Sequence, residues 1–446
     1  MIRVYTPDEA RNTILKREVI LSNPEFSSNS ISPEEIVRKI VKDIQERGDQ
    51  ALKDWTLKLD KVNIDQFEIV DIDFEECLST INPELKVALE IASERIYKFH
   101  KSQPILTWMN YNLGGQLGQI IKPIKKIGIY IPGGKTPLFS SILMTAIPAV
   151  VAGTKDIIFA SPPEKNGALP NIILATCGLI KKFGVNIRLF KMGGAQAIAA
   201  MAFGTDQVPK VDKIVGPGNI YVNLAKKEVY GIVGIDGIYG PTEVIIIADE
   251  TANPSLITSD LLAQAEHDPL AIPILVTSNR NLISYIKNEL KRQIRDLERN
   301  EIIENSIQNK GGIILTSSLE ESIQISNEFA PEHLSLMVKD PMTALNQIEN
   351  AGGIFIGENS FEVLGDYIAG PSHVMPTNGT ARFSSALSVS DFVKRINLVY
   401  LNKEVALNLS KYAEKMAESE KLTGHAKAAS LRGYYNRIEE EGDKIE

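Results

Sequence analysis

Apolar positions along this chain change their rhythm twice. Pro33 to Leu52 and Pro83 to Lys101 place apolar residues three and four apart, the spacing of amphipathic helices with one buried face. From about residue 125 the pattern becomes short apolar runs alternating with helical segments. The runs are Ile127–Ile131, Asp156–Ala160, Asn186–Phe190, Lys213–Val215, Glu243–Ile247, Ile272–Thr277, Gly312–Leu315, Leu334–Val338 and Gly353–Ile356. Helical patterns such as Pro137–Ala152, Asn171–Phe183 and Pro254–His267 lie between them. That alternation predicts parallel sheets with helices on both faces, in two blocks of similar rhythm around 125–240 and 240–357. After Asp391 the chain turns charged and mainly helical (Glu404 to Arg432), which reads as a separate tail.

At 446 residues the chain is too long for one compact core, and its 43% hydrophobic and 23% charged residues are ordinary for a globular protein. There are 48 basic against 56 acidic residues, with no basic stripe, so a nucleic-acid partner is not expected. The first twenty residues lack a secretory apolar core, and the longest apolar stretch, Ile142–Ala152, is far too short to span a membrane. Cys77 and Cys177 form neither a metal-ligand spacing nor a disulfide framework. Together these features predict a soluble cytoplasmic protein.

Two glycine-rich segments mimic nucleotide motifs. Gly133-Gly134-Lys135-Thr136 lacks the earlier glycine of a phosphate-binding loop, since position 129 is isoleucine; Thr136-Pro137 reads instead as a helix start. Gly216-Pro217-Gly218 lacks the third glycine of the dinucleotide fingerprint, whose place is taken by Tyr221.

The histidines are more informative. His100 sits among ordinary helix residues, and a structural role suffices for it. Gln264 and His267 share a face at a helix end that Pro269 terminates, and an amide oxygen and an imidazole can both bind a divalent metal. Glu332-His333 puts a carboxylate beside an imidazole just before an apolar run, where an acid/base pair would sit at a sheet edge. Asp366 and His373 fall in a glycine-rich loop, and His425 follows Glu420 in the tail. Singly, each has an ordinary structural explanation, such as a polar helix end or a turn built from Asp, Gly and Ser. Together they make a nitrogen- and oxygen-donor set suited to zinc, with an acid/base pair close by.

The segments Tyr130–Gly134, Gly193–Ala200, Val211–Asn219, Gly240–Val244, Gln264–His267, Ala330–Leu334, Gly365–Tyr367, Ser372–Thr377 and Leu422–His425, in this order, resemble the histidinol dehydrogenase family over nearly the whole chain. The resemblance implies an α/β fold of two related Rossmann-like domains of the aldehyde-dehydrogenase type. It implies an N-terminal segment (1–30), a first α/β domain (31–125 and 240–385) carrying substrate and metal, a second (126–239) carrying the NAD contacts, and a C-terminal arm (386–446) swapped in a homodimer. The implied reaction is the oxidation of L-histidinol to L-histidine through L-histidinaldehyde with two NAD+, at the end of histidine biosynthesis.

Carried over by motif, Gln264, His267, Asp366 and His425 would ligate one zinc per subunit, the last from the partner chain. Glu332 would activate water and His333 would shuttle protons. Thr242, His373 and Glu420, with Gln264, His267, Glu332, His333, Asp366 and His425, would contact substrate; Tyr130, Gln196 and Asn219 would contact NAD. The family often has Ser at the position of Thr242 and Ala at that of Gly424. Neither cysteine lies in a motif, which leaves water activated by Glu332 as the route through the aldehyde. A zinc hydrolase would also want metal, Glu and His, but no His-Glu-x-x-His helix occurs. A metal-binding scaffold without catalysis would leave Glu332-His333 without a role.

Overall fold

The structure, a computed structural model, describes residues 2–17, 32–133 and 137–442, with side chains as far as 432. It divides into a larger unit, Met1–Gln103 with Ile124–Phe392, and a smaller one, Pro104–Pro123 with Val393–Glu446.

Two six-stranded sheets build the larger unit. In the first, all neighbours are parallel and the strands run, edge to edge, Val4–Tyr5, Gly312–Leu315, Ile272–Thr277, Glu243–Ala248, His333–Met337 and Gly353–Ile356. Alternate residues feed two cores, as period-two side-chain direction requires. Val244, Ile246, Leu275 and Ile313 join Ile257, Leu261 and Ile286 on one face. Ile245, Ile247, Ile274 and Leu334 join Ile323, Ile325 and Phe329 on the other.

The second sheet runs Glu68–Ile69, Asn186–Lys191, Asp156–Ser161, Lys126–Tyr130, Lys213–Val215 and Gly234–Ile235. It is parallel except for its first, two-residue edge strand. Ile127, Ile129, Ile157 and Phe159 point to one face and Tyr130, Ile158, Ala160 and Ile214 to the other. The central strands Asp156–Ser161, Lys126–Tyr130 and Lys213–Val215 are buried on both sides, which is why the sequence shows near-continuous apolar runs there.

The helices of the N-terminal third are where the expected domain boundaries need correction. The sequence grouping put 31–125 with 240–385. Instead, Val37, Ile40 and Ile44 of Pro33–Arg47, with Leu52 of Asp49–Leu59, close one face of the 126–235 sheet. Leu89, Ala92 and Ile96 of Pro83–Lys101 cover its other face. Without them, Ile127 and Ile158 would each face water. The predicted single helix Pro33–Leu52 is also two, broken at Gly48, whose φ of 53° a residue with a side chain adopts only at a cost.

Helix ends follow sequence chemistry. Ser32 and Glu35 form a reciprocal capping box ahead of Pro33, and Asn82, Asn219 and Asn253 cap the helices that follow them. The helix predicted from Pro137 starts only at Ser140, so Pro137 is not in its first turn; Thr136 lies outside the described residues.

In the smaller unit, Val393–Leu401 pairs antiparallel with Gly115–Pro123, which also pairs with Trp108–Asn110; the helices Lys403–Ser419 and Thr423–Gly442 follow. The tail is therefore helical only from residue 403 and includes a sheet shared with 108–123. No helix among the described residues is long and apolar enough to cross a membrane.

Candidate active site

In the first sheet, Glu243–Ala248 lies beside His333–Met337, with Val244 opposite His333. Thr242 and Glu332, one residue before each strand, therefore meet at the amino edge of the sheet. The Pro254–Ala265 helix runs back antiparallel to its strand and returns Gln264 and His267 to that same edge. After Gly353–Ile356 the chain returns to this edge, where Asp366 sits not in the expected loop but on the short helix Glu362–Tyr367, and His373 in the segment that follows it.

These residues line a pocket of about 180 Å³ that contains Thr242, His267, Glu332, His333, Asp366 and His373. Ser141, Pro217, Gly218, Tyr239 and Tyr367 complete its wall. Neither cysteine borders it; Cys177 is fully buried in a helix, where burial pushes its thiol far above the usual range.

Glu332 receives two hydrogen bonds on one oxygen. Thr242 Oγ1 donates to Oε2 at 2.6 Å and the Glu243 N–H donates to the same atom at 3.0 Å. Burial raises this carboxyl well above its ordinary pKa, against the opposing effect of the Thr242 bond. Burial thus favours the neutral acid over the carboxylate in the empty pocket.

His333 stands 3.2 Å from the Glu243 carbonyl through Nδ1, which fixes the proton there and leaves Nε2 with a free lone pair. That Nε2 is buried without a hydrogen-bond partner in the protein and lies 3.8 Å from Asp366 Oδ1. Burial lowers the His333 pKa, so the ring is neutral at pH 7 and able to accept a proton. His373 is also neutral through burial; its Nδ1 bonds the Asp366 carbonyl at 2.8 Å and its Nε2 lies 3.3 Å from Ser141 Oγ.

The proposed metal ligands are placed unevenly. His267 and Asp366 open into the pocket. His267 Nδ1 bonds the Ala263 carbonyl at 3.0 Å, which leaves Nε2 as a donor atom, the usual way a ligating imidazole is oriented. Gln264 is fully buried behind Thr242. With its amide turned, its oxygen accepts from the Glu243 N–H at 2.8 Å and lies 2.6 Å from Thr242 Oγ1, whose single proton it shares in competition with Glu332, while its nitrogen donates to Glu362. His425 and Glu420 are exposed on the helical pair of the smaller unit. Among the described residues no three His, Cys, Asp or Glu side chains gather with metal-binding geometry.

The candidate NAD contacts sit on the second sheet, at the carboxyl ends of its strands. Lys126–Tyr130 and Lys213–Val215 are adjacent there, with the chain winding outward to either side, the switch point where α/β sheets bind ligands. Tyr130 is buried, its hydroxyl accepting from the Gly194 N–H at 3.1 Å. Gln196 is fully buried and donates to Asp60 at 3.0 Å. Asn219 caps its helix by accepting from the Tyr221 and Val222 N–H groups. None of the three borders the histidine-lined pocket.

Between the two regions lies the Gly216-Pro217-Gly218 turn. Gly216 has φ 114°, and a Cβ there would stand 2.2 Å from the Tyr130 carbonyl oxygen. Gly184 has φ 77° with nothing within 4 Å of the same position. Gly184→Ala should therefore cost about 1–2 kcal/mol through backbone strain alone. Gly216→Ala must add a backbone clash and should lose at least about 2 kcal/mol more. Chemical denaturation of both variants checks this; equal losses would mean the turn yields freely.

Several participants gave no sequence signal. Ser141, Tyr239 and Tyr367 reach the pocket from segments that read as an ordinary helix, loop and turn. Glu362, fully buried against Gln264 and 3.7 Å from His333 Nδ1, lay four residues before Asp366 and on the same helical face, a spacing that could have flagged it.

The chain is similar to known proteins along nearly its whole length. The histidinol dehydrogenase family model matches residues 23–433. Histidinol dehydrogenase of Thermus thermophilus is 45% identical over 429 residues, covering 96% of this chain and all of that protein. The enzyme of Caldanaerobacter subterraneus is 46% identical over 401 residues, covering 89% of this chain and 92% of its own. The crystal structure of histidinol dehydrogenase from Elizabethkingia anophelis superposes with a TM-score of 0.88 at 36% identity, covering 97% of this chain and 98% of that one.

Proposed function

Because the chain belongs to the histidinol dehydrogenase family, we propose that its pocket oxidises L-histidinol to L-histidine through L-histidinaldehyde, with NAD+ as oxidant and zinc as a resident ion. The observation that carries the reading is the buried, unpartnered His333 Nε2, facing Asp366 in a pocket that Glu332 also lines. A buried nitrogen lone pair lacking a partner is costly unless a ligand hydroxyl meets it.

The donor set fits zinc in kind: His267 has its Nε2 lone pair free, Asp366 supplies a hard oxygen to the same pocket, and Gln264 and His425 would complete the set. When bound, NAD+ takes the hydride of each oxidation and zinc holds the substrate nitrogens in place. The chain's own residues move the protons. His333 Nε2 accepts the alcohol proton as the carbinol carbon gives up hydride, leaving the aldehyde. A water then adds to the aldehyde carbon as Glu332 takes its proton and the protonated His333 returns one to the carbonyl oxygen. The hydrate then gives its C–H hydride to a second NAD+ and a hydroxyl proton to His333, leaving the carboxylic acid. For the addition of water Glu332 must be ionised, and the positive charge of a divalent ion held in the same pocket would favour the carboxylate over the buried acid. Thr242 and the Glu243 N–H hold Oε2, so Glu332 keeps one orientation through both oxidations.

Two NADH per histidine should form from histidinol; one NADH with aldehyde released would refute the second step. His267→Ala and Asp366→Asn should each retain under about a tenth of a zinc per chain on metal analysis, because a lost first ligand weakens such sites strongly. Full zinc content in both would remove these residues from the ligand set.

The smaller unit supports a dimer. Leu106, Trp108, Tyr111, Val399, Tyr400, Tyr412 and Met416 are each more than half exposed, and only Ala417 and Ala426 are buried in its described helical residues. Exposed apolar side chains concentrated on one small unit mark an association surface.

A further inference from the structure

Both catalytic side chains are held by the main chain of one residue. The Glu243 N–H donates to Glu332 Oε2 at 3.0 Å, and the Glu243 carbonyl lies 3.2 Å from His333 Nδ1. The Glu243 side chain points away from them and is completely buried. It accepts from the Asn378 N–H at 3.0 Å and is gripped by Arg17, through Nη1 on one oxygen and Nη2 on the other at 3.2 Å.

The same guanidinium reaches a second element. Arg17 Nη2 donates to the Phe329 carbonyl at 2.7 Å, and its plane lies 3.8 Å over the Phe329 ring. Phe329 ends the helix three residues before Glu332, at a turn where Ala330 takes φ 52°. Arg17 therefore bridges the start of the Glu243–Ala248 strand and the turn that delivers Glu332 and His333. It comes from near the N-terminus, more than two hundred residues away in sequence and outside the pocket lining.

We propose that Arg17 is a positioning residue for the reaction: its planar fork, bonded to Glu243 and Phe329 together, fixes the distance over which Glu332 and His333 act on substrate. This rests on the reading that Glu332 and His333 carry the chemistry. Arginine suits the task because one rigid guanidinium satisfies a carboxylate and a carbonyl at once, which a lysine point charge does not. With Arg17 gone, the buried Glu243 carboxylate loses its counter-charge. It must take a proton or turn, and the Glu243 backbone that holds both catalytic groups moves with it.

The test is a mutant cycle on the purified enzyme, following each oxidation separately. Arg17→Met should lower kcat of both steps by about tenfold or more, while KM for histidinol and for NAD+ stays within about threefold, since only groups at the reacting atoms are displaced. Glu243→Gln should do the same from the other side of the bridge, and it serves alone should Arg17→Met fail to fold. Combined with His333→Ala, either change should lower the histidinol step by less than about twofold beyond His333→Ala alone, because the group positioned for that step is already lost. Wild-type kcat in folded Arg17→Met and Glu243→Gln, or histidinol-step losses that multiply with His333→Ala, would overturn the proposal and leave the catalytic reading intact. An unimpaired Glu332→Gln would sink that reading itself, and Arg17 with it.

Discussion

Glu332→Gln will slow histidinaldehyde oxidation by about 10²–10⁴-fold and histidinol oxidation much less, whereas His333→Ala will slow both by a similar factor. The asymmetry follows from what each step releases. Both oxidations require a base at the reacting oxygen, and the free lone pair of His333 Nε2 is placed for it. Only the aldehyde step also needs water deprotonated, and Glu332 is the carboxyl of the pocket held by Thr242 and the Glu243 N–H. The amide of glutamine keeps the shape and can still accept those bonds, so Glu332→Gln isolates the proton transfer from the packing. Single-turnover measurements started from alcohol and from aldehyde separate the two steps. Equal slowing of both in Glu332→Gln would show that Glu332 acts before the aldehyde forms, and the division of labour would be wrong.

The strands were legible as short apolar runs, most of them with both faces buried. Lys213–Val215, Ile272–Thr277, Gly312–Leu315 and Gly353–Ile356 match the apolar runs to the residue. His333 belongs to its strand although it is not apolar; its ladder bonds to Gly353 and Val244 outweigh the pattern that began the run at Leu334. The Val393–Leu401 strand was missed for the opposite reason. Its residues are exposed or half-buried along their length, so the sequence carries no buried face to read.

Which helices belong to which sheet was also beyond the pattern. Val37, Ile40 and Ile44 mark a buried stripe in any context, and periodicity does not say what covers it. The site was more legible than the domain plan, because His267, Glu332, His333, Asp366 and His373 carry chemistry that segment motifs reveal. Arg17, Glu243 and Glu362 were silent, since a charged residue in a helix-like or strand-like segment reads as a solvated face until the fold buries it.

Mixing two inactive proteins, His425→Ala and His333→Ala, should restore activity to about a quarter of all sites when subunits exchange at random. Random exchange makes half of the dimers mixed. In a mixed dimer with shared sites, one site takes intact His333 from one chain and intact His425 from the other, and the second site collects both lesions. The grounds for a shared site are that His425 belongs to the smaller unit, apart from every other proposed ligand, and that this unit exposes Trp108, Val399, Tyr400, Tyr412 and Met416. His425 itself is exposed on its helix, as a residue that serves another chain would be. A site completed within one chain keeps one lesion in every active centre, so mixing would recover nothing. Mass-tagged chains report whether exchange took place. Complete exchange with no recovered activity would assign His425 to its own chain's site, or to none.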